Sequence, residues 1–223
     1  VTVLARGEAV ASADTARARR SASHWSEALG RADPLSALVL TALAGVFERC
    51  TSIPDGTGLI VGTVAASIEH NRRFFAKLEE RGPARAPPRS FPGTSPNLCA
   101  GTASIAFGLR GPTMAVAASL LAPVEALALG VDFVRGGDAP AMLVVAADEV
   151  GETVSSLWLA AGWEPPSPGA LACLIGAGTE EATDLAPRVY RLLEEPALET
   201  GRLGEVGPGW PALGRALDLV GQL

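Results

Sequence analysis

Residues 97–120 read NLCAGTASIAFGLRGPTMAVAASL, and this stretch decides the fold. Asn97 to Leu109 has helical length but an unusually small face: Ala100, Gly101, Ala103, Ser104 and Ala106. A helix this bare packs tightly against another backbone. Gly111-Pro112 then breaks the chain. Thr113 to Ala118 is a short run without polar alternation, the pattern of a buried strand. Pro123 opens a second helix with Val124, Leu127, Ala128, Val131 and Val134 on one stripe, and Gly136-Gly137 closes it. Buried strands linked through helices imply a layered α/β domain with parallel crossovers.

The same grammar extends outward. Gly58 to Val64, Ala141 to Ala147 and Ala170 to Gly176 read as buried strands, Val1 to Val10 as a mostly apolar one, and Arg188 to Leu193 as a further one. Asp33 is an N-cap and Pro34 suits the first helical position. Leu35, Leu38, Val39, Ala42, Val46 and Phe47 follow at helical spacing. Asp14 to Leu29 is an Arg-bearing helix with Trp25 and Leu29 on one side. Ile53 to Thr57 is a turn around Pro54, Asp55 and Gly56. Ile68 to Glu80 is helical, with Phe74, Phe75 and Leu78 inward. Gly82 to Pro96, with prolines at 83, 87, 88, 92 and 96, is a long ordered loop of the kind that carries function. The segment between Glu149 and Ala170 reads as irregular, and Trp210 to Leu223 as an amphipathic helix.

Composition narrows the class. Of the 223 residues 48% are hydrophobic and 19% charged, which excludes a disordered chain. No apolar run reaches the roughly 20 residues of a membrane span. The 40 alanines and 25 glycines, against 5% aromatics, make a core of small side chains. A net charge of −6 sets aside sequence-independent nucleic-acid binding, which rests on a positive patch. Cys50, Cys99 and Cys173 show no zinc or disulfide spacing and read as buried thiols. Glu8, Asp14 and the arginines that follow interrupt any signal peptide, so a reduced, cytoplasmic setting is expected.

Conventional motifs are missing. The single lysine, Lys77, lies in no phosphate-binding loop. Ser119 stands in Ala-Ala-Ser-Leu-Leu and not in GxSxG, so it reads as a buried or capping serine. Asp148-Glu149 closes a strand, where carboxylates serve acid–base chemistry or cap the next helix. Arg72, Arg73, Arg81, Arg85 and Arg89 flank the proline-rich loop, diluted by Glu69, Glu79 and Glu80. Arg17, Arg19 and Arg20 read as a solvated helix face.

Phe91-Pro92, Asn97-Leu98-Cys99-Ala100-Gly101 and Gly108-Leu109-Arg110-Gly111-Pro112 together resemble the β-ketoacyl synthase family of the thiolase fold. Asp33 to Leu40, Gly58 to Thr63, Val144 to Glu149 and Pro168 to Ile175 are similar to further segments of that family, in the same order. The resemblance implies a layered α/β thiolase-like half: a five-stranded mixed, mostly parallel sheet with helices on both faces.

The departures from the family are informative. Its nucleophilic cysteine stands at a helix N-terminus, whose partial positive charge favours a thiolate. Counted from Gly111-Pro112, that position is Leu120, which has no nucleophilic atom. The family's two catalytic histidines belong to a second half, and the histidines here are His24 and His70. The resemblance therefore implies residues 1–223 as a single N-terminal ketosynthase-like domain, with Trp210 to Leu223 like the first helix of a second half. It implies a subunit that is no enzyme by itself, needs no cofactor or metal, and is similar to the short chain-length factors of aryl-polyene-type pathways. Such a subunit pairs with a catalytic ketosynthase, shapes its acyl tunnel, and meets acyl carrier protein mainly through the partner. The expected interface is Thr113, Met114, Ala115, Val116, Ala117 and Ala118, and the expected tunnel walls are Ser95, Asn97, Leu98 and Thr102. The alternatives are a homodimer binding an acyl group or carrier protein, or a thioester enzyme using Asp148, Glu149 or Cys99.

Overall fold

The computed structural model describes residues 1–10, 25–117, 119–177, 186–187, 189–190 and 209–219. The elements are β1 (Thr2–Val10), α1 (Trp25–Arg31), α2 (Pro34–Phe47), β2 (Gly58–Gly62), α3 (Ile68–Arg81), α4 (Leu98–Phe107) and β3 (Thr113–Val116). They continue through α5 (Ala122–Gly136), β4 (Ala141–Asp148), α6 (Glu152–Ala160), β5 (Gly169–Gly176) and α7 (Pro211–Leu219). The proline-rich loop holds two 3₁₀ turns, Pro83–Arg85 and Pro88–Thr94.

The five strands form one sheet in the order β1-β5-β4-β2-β3. β2 runs parallel to β3 and β4, while β5 is antiparallel to β4 and β1. Four strands thus share one direction and β5 opposes them. Among the described residues β3 is an edge strand, with β2 as its ladder partner.

Helices cover both faces. On one side Leu35, Leu38, Val39 and Leu43 of α2, with Cys99, Ala100 and Ala103 of α4, pack on Leu59, Val61, Leu143, Val145 and Leu174. On the other, Leu127 and Val131 of α5 and Leu213 and Leu217 of α7 pack on Ile60, Met142, Val144 and Ile175. Successive strand residues supply opposite faces, as the period of two requires. Both β4 and β5 are buried along their whole length, hence their continuous apolar runs. Leu40 and Leu43 are fully buried; truncating either to Ala costs about 2–5 kcal/mol.

The Asp33 cap forms as expected: Oδ1 accepts from Ser36 N at 3.1 Å and Oδ2 from Ser36 Oγ at 2.5 Å. Other expectations change. The stretch 152–160 is helical, with Val154 and Trp158 inward. Phe75 is exposed while Phe74 is buried, because adjacent helical residues cannot both face the core; the two rings pack edge-on at 5.6 Å. Val189 and Tyr190 are helical, against the strand expected for 188–193, whose other positions lie outside the described residues. Most of the helix expected over 14–29 also lies outside them; Trp25–Arg31 is its described part.

Candidate functional site

Leu120 stands between β3 and α5, at the end of the strand and just before the helix. Its side chain packs with Ala65, Val154 and Trp158 in an apolar cluster. Val64, Ala65, Ile68, Leu120, Val154 and Trp158 line a small pocket of about 140 Å³. Ser119 is exposed and lies two residues before Leu121, the N-cap of α5: Oγ accepts from Leu121 N at 3.0 Å and donates to Glu125 Oε1 at 2.6 Å.

β2 meets this turn at close range. A Cβ at Gly62 would lie 2.6 Å from the Ala122 carbonyl oxygen and 2.7 Å from Pro123 Cα. Glycine here lets the strand end abut the start of α5.

Thr113, Met114, Ala115 and Val116 form β3 and are half-buried, Ala117 is exposed, and Ala118 lies outside the described residues. Leu59 N–H donates to Pro112 O and Thr63 N–H to Val116 O, so those carbonyls face β2. By strand alternation the peptide groups of Thr113, Ala115 and Ala117 face the open edge. Ile105 of α4 is 83% exposed. Among the described residues a Cβ at Gly101 of α4 would meet nothing within 4 Å.

The expected tunnel residues separate. Leu98 and Thr102 line a cavity of about 750 Å³ with Arg31, His70, Arg89 and Ile105. Ser95 and Asn97 are exposed and are absent from its walls. His70 lies beneath Gly93 and its Nε2–H donates to the Ser90 carbonyl at 2.7 Å, pinning the loop over α3.

Asp148 is fully buried and is neither an exposed base nor the cap of α6, whose N-cap is Gly151. Its Oδ1 accepts from Thr63 Oγ1 (3.0 Å), Val64 N (2.8 Å) and Ala65 N (3.2 Å), and its Oδ2 from Trp210 N (2.8 Å). Burial raises its pKa, and the hydrogen bonds partly oppose that. Glu149 pairs with Arg73 at 2.8 Å. Arg81 lies 3.8 Å from Glu80, and Arg89 faces the large cavity, so the arginines do not converge. Cys99 is buried and its thiol is pushed up to about 12 by burial and the Asp33 charge. Sequence reasoning missed Glu69, Gly209 and Trp210; their roles depend on partners distant in the chain. Among the described residues no group of three or more His, Cys, Asp or Glu is placed to hold a metal, and no helix is long and apolar enough to cross a membrane.

Known proteins share this architecture. The ishigamide ketosynthase/chain length factor superposes with a TM-score of 0.62 at 21% identity, covering 82% of this chain and 64% of that one. The ketosynthase ApeO in complex with its chain length factor ApeC, from Xenorhabdus doucetiae, gives 0.60 at 14% identity, covering 81% of each chain. In sequence, 92 residues are 29% identical to 3-oxoacyl-(acyl-carrier-protein) synthase 2 of Vibrio cholerae, which is 41% of this chain and 22% of that protein. The Beta-ketoacyl synthase N-terminal domain matches residues 6–186, on the strand and helix order described above, and the chain belongs to that family.

Proposed function

We propose that the chain is a non-catalytic, chain-length-factor-like subunit that pairs with an active ketosynthase through β3 and helps shape its acyl tunnel in polyene, fatty-acid or polyketide synthesis. The observation that carries this reading is Leu120: an apolar side chain packed on Ala65, Val154 and Trp158, at the position that counting from Gly111-Pro112 matches to the family's nucleophile. The open edge of β3 supports the pairing, because an unpaired edge strand invites another chain. Gly101 supports it too, since a mid-helix glycine costs roughly 1 kcal/mol and no contact among the described residues requires it. The cavity beside Leu98 and Thr102 is the space offered to an acyl chain. Two structures of similar fold are themselves ketosynthase and chain length factor assemblies. A thiol-based reaction at Cys99 has no support, because that thiol is buried and about 12 in pKa. The test is reconstitution: an active ketosynthase assayed with acyl and malonyl thioesters, with and without this chain. Elongation to full length only in the paired enzyme is expected. Identical products in its absence overturn the reading.

A further inference from the structure

Asp148 is a buried carboxylate whose partners Thr63 and Trp210 lie at, and next to, the residues that bond the Val116 and Leu120 carbonyls, and the functional reading above leaves it unused. We propose that Asp148 is a positioning residue: through Thr63 and Trp210 it fixes Val116, which ends β3, and Leu120, which precedes α5, and so sets the geometry of the strand edge offered to a partner. Only the last step, the effect on a partner, rests on the pairing proposed above.

The clamp has two arms. In the first, Thr63 Oγ1–H donates to Asp148 Oδ1 at 3.0 Å, while Thr63 N–H donates to the Val116 carbonyl at 2.9 Å. In the second, Trp210 N–H donates to Asp148 Oδ2 at 2.8 Å, and the preceding Gly209 N–H donates to the Leu120 carbonyl at 3.3 Å. Val116 ends β3 and Leu120 precedes α5, so one carboxylate steadies both residues, the first through Thr63 and the second through Gly209-Trp210. Val64 and Ala65 N–H complete the Oδ1 set, and all four partners are uncharged donors. Only a carboxylate accepts on both oxygens. An amide must point its NH₂ at one set of donors, so Asn is sterically matched and electrostatically wrong.

Gly209 shows that the arm is built for contact. Its φ is +81°, and a Cβ there would sit 3.3 Å from Asp148 Oδ2 and 3.3 Å from the Trp158 ring. Asp148 is fully buried and is on the walls of neither the apolar pocket nor the large cavity.

Amide hydrogen exchange on the whole chain tests the clamp without a partner. Asp148→Asn is expected to speed exchange at Thr63 and Gly209 together, by about tenfold or more, with Val144 and Val145 in the core strand unchanged. Thr63→Val, which removes one hydroxyl, is expected to speed Thr63 and leave Gly209 unchanged, and it keeps the test open if Asp148→Asn fails to fold. Acceleration at one arm only in Asp148→Asn, or uniform acceleration with the core amides, overturns the proposal. Affinity for the ketosynthase is the second readout. Asp148→Asn is expected to weaken the complex about tenfold relative to a core variant of equal thermal stability, such as Ile175→Val. Equal weakening by both variants overturns the last step. A wild-type chain that binds no ketosynthase, with the exchange pattern as expected, sinks the pairing and leaves the clamp standing.

Discussion

The carboxylate of Glu69, on α3, accepts a 2.8 Å hydrogen bond from the main-chain N–H of Val154 in the first turn of α6. A side chain from a separate helix thus satisfies an N–H that helix geometry leaves free. Gly151 makes room for it: a Cβ there would lie 2.6 Å from the Glu69 carboxyl carbon. Gly151→Ala is therefore expected to cost about 1–3 kcal/mol through overpacking, and Glu69→Ala about 1–2 kcal/mol through the lost cap. Denaturant midpoints at constant slope measure both; a change within experimental error in either would remove this contact from the account.

Gly62→Ala should be more damaging than an average surface change. Its Cβ would press on backbone at Ala122 and Pro123, which cannot rotate away. A loss of about 1–3 kcal/mol is expected in thermal unfolding. Full tolerance would mean that β2 and α5 can separate without cost.

Thiol reactivity orders the cysteines. Burial pushes Cys99 and Cys173 up to about 12, so at pH 8 almost no thiolate forms in the folded chain. Cys50 is also raised by burial but is partly exposed. A disulfide reagent at pH 8 is expected to take Cys50 first and the other two only on unfolding. Fast, stoichiometric labelling of Cys99 in the native chain would revive a thiol-based activity.

A thiol at position 120, the nucleophile position in the proposed reading, should supply only part of the chemistry. Leu120→Cys is expected to accept an acyl group from a thioester and then stall. Of the two histidines, His70 is bonded to the Ser90 carbonyl and is on the wall of another cavity. Intact-mass measurement reads acylation and product analysis reads condensation. Unaided condensation of malonyl and acyl thioesters by this variant would contradict the non-catalytic reading.

Much of the fold was legible because its signals are local. Asp33-Pro34, the run from Leu59 to Gly62, and the break at Gly111-Pro112 each act within a few residues. Other features were illegible because their causes are distant. The borrowed cap of α6 lies 85 residues before Val154, so the 152–160 segment reads as irregular on its own terms. Asp148 takes its role partly from Trp210, 62 residues onward. Strand order is equally non-local: nothing in Thr113 to Val116 says that β3 is an edge. The candidate tunnel shows the same limit. Leu98 and Thr102 share a helix face toward the large cavity, whereas Ser95 and Asn97 precede the helix and point to solvent.

The most direct measurement is the mass of the complex formed with an active ketosynthase, for the wild-type chain and for Ala115→Pro. Proline removes one N–H from the outward edge of β3 and spares the carbonyls of Pro112 and Val116 that hold β2. A one-to-one complex for the wild type, lost or at least about tenfold weaker for Ala115→Pro while the variant's own unfolding temperature is unchanged, is the predicted result. A wild-type chain that stays monomeric beside the ketosynthase, or a complex indifferent to Ala115→Pro, would contradict it.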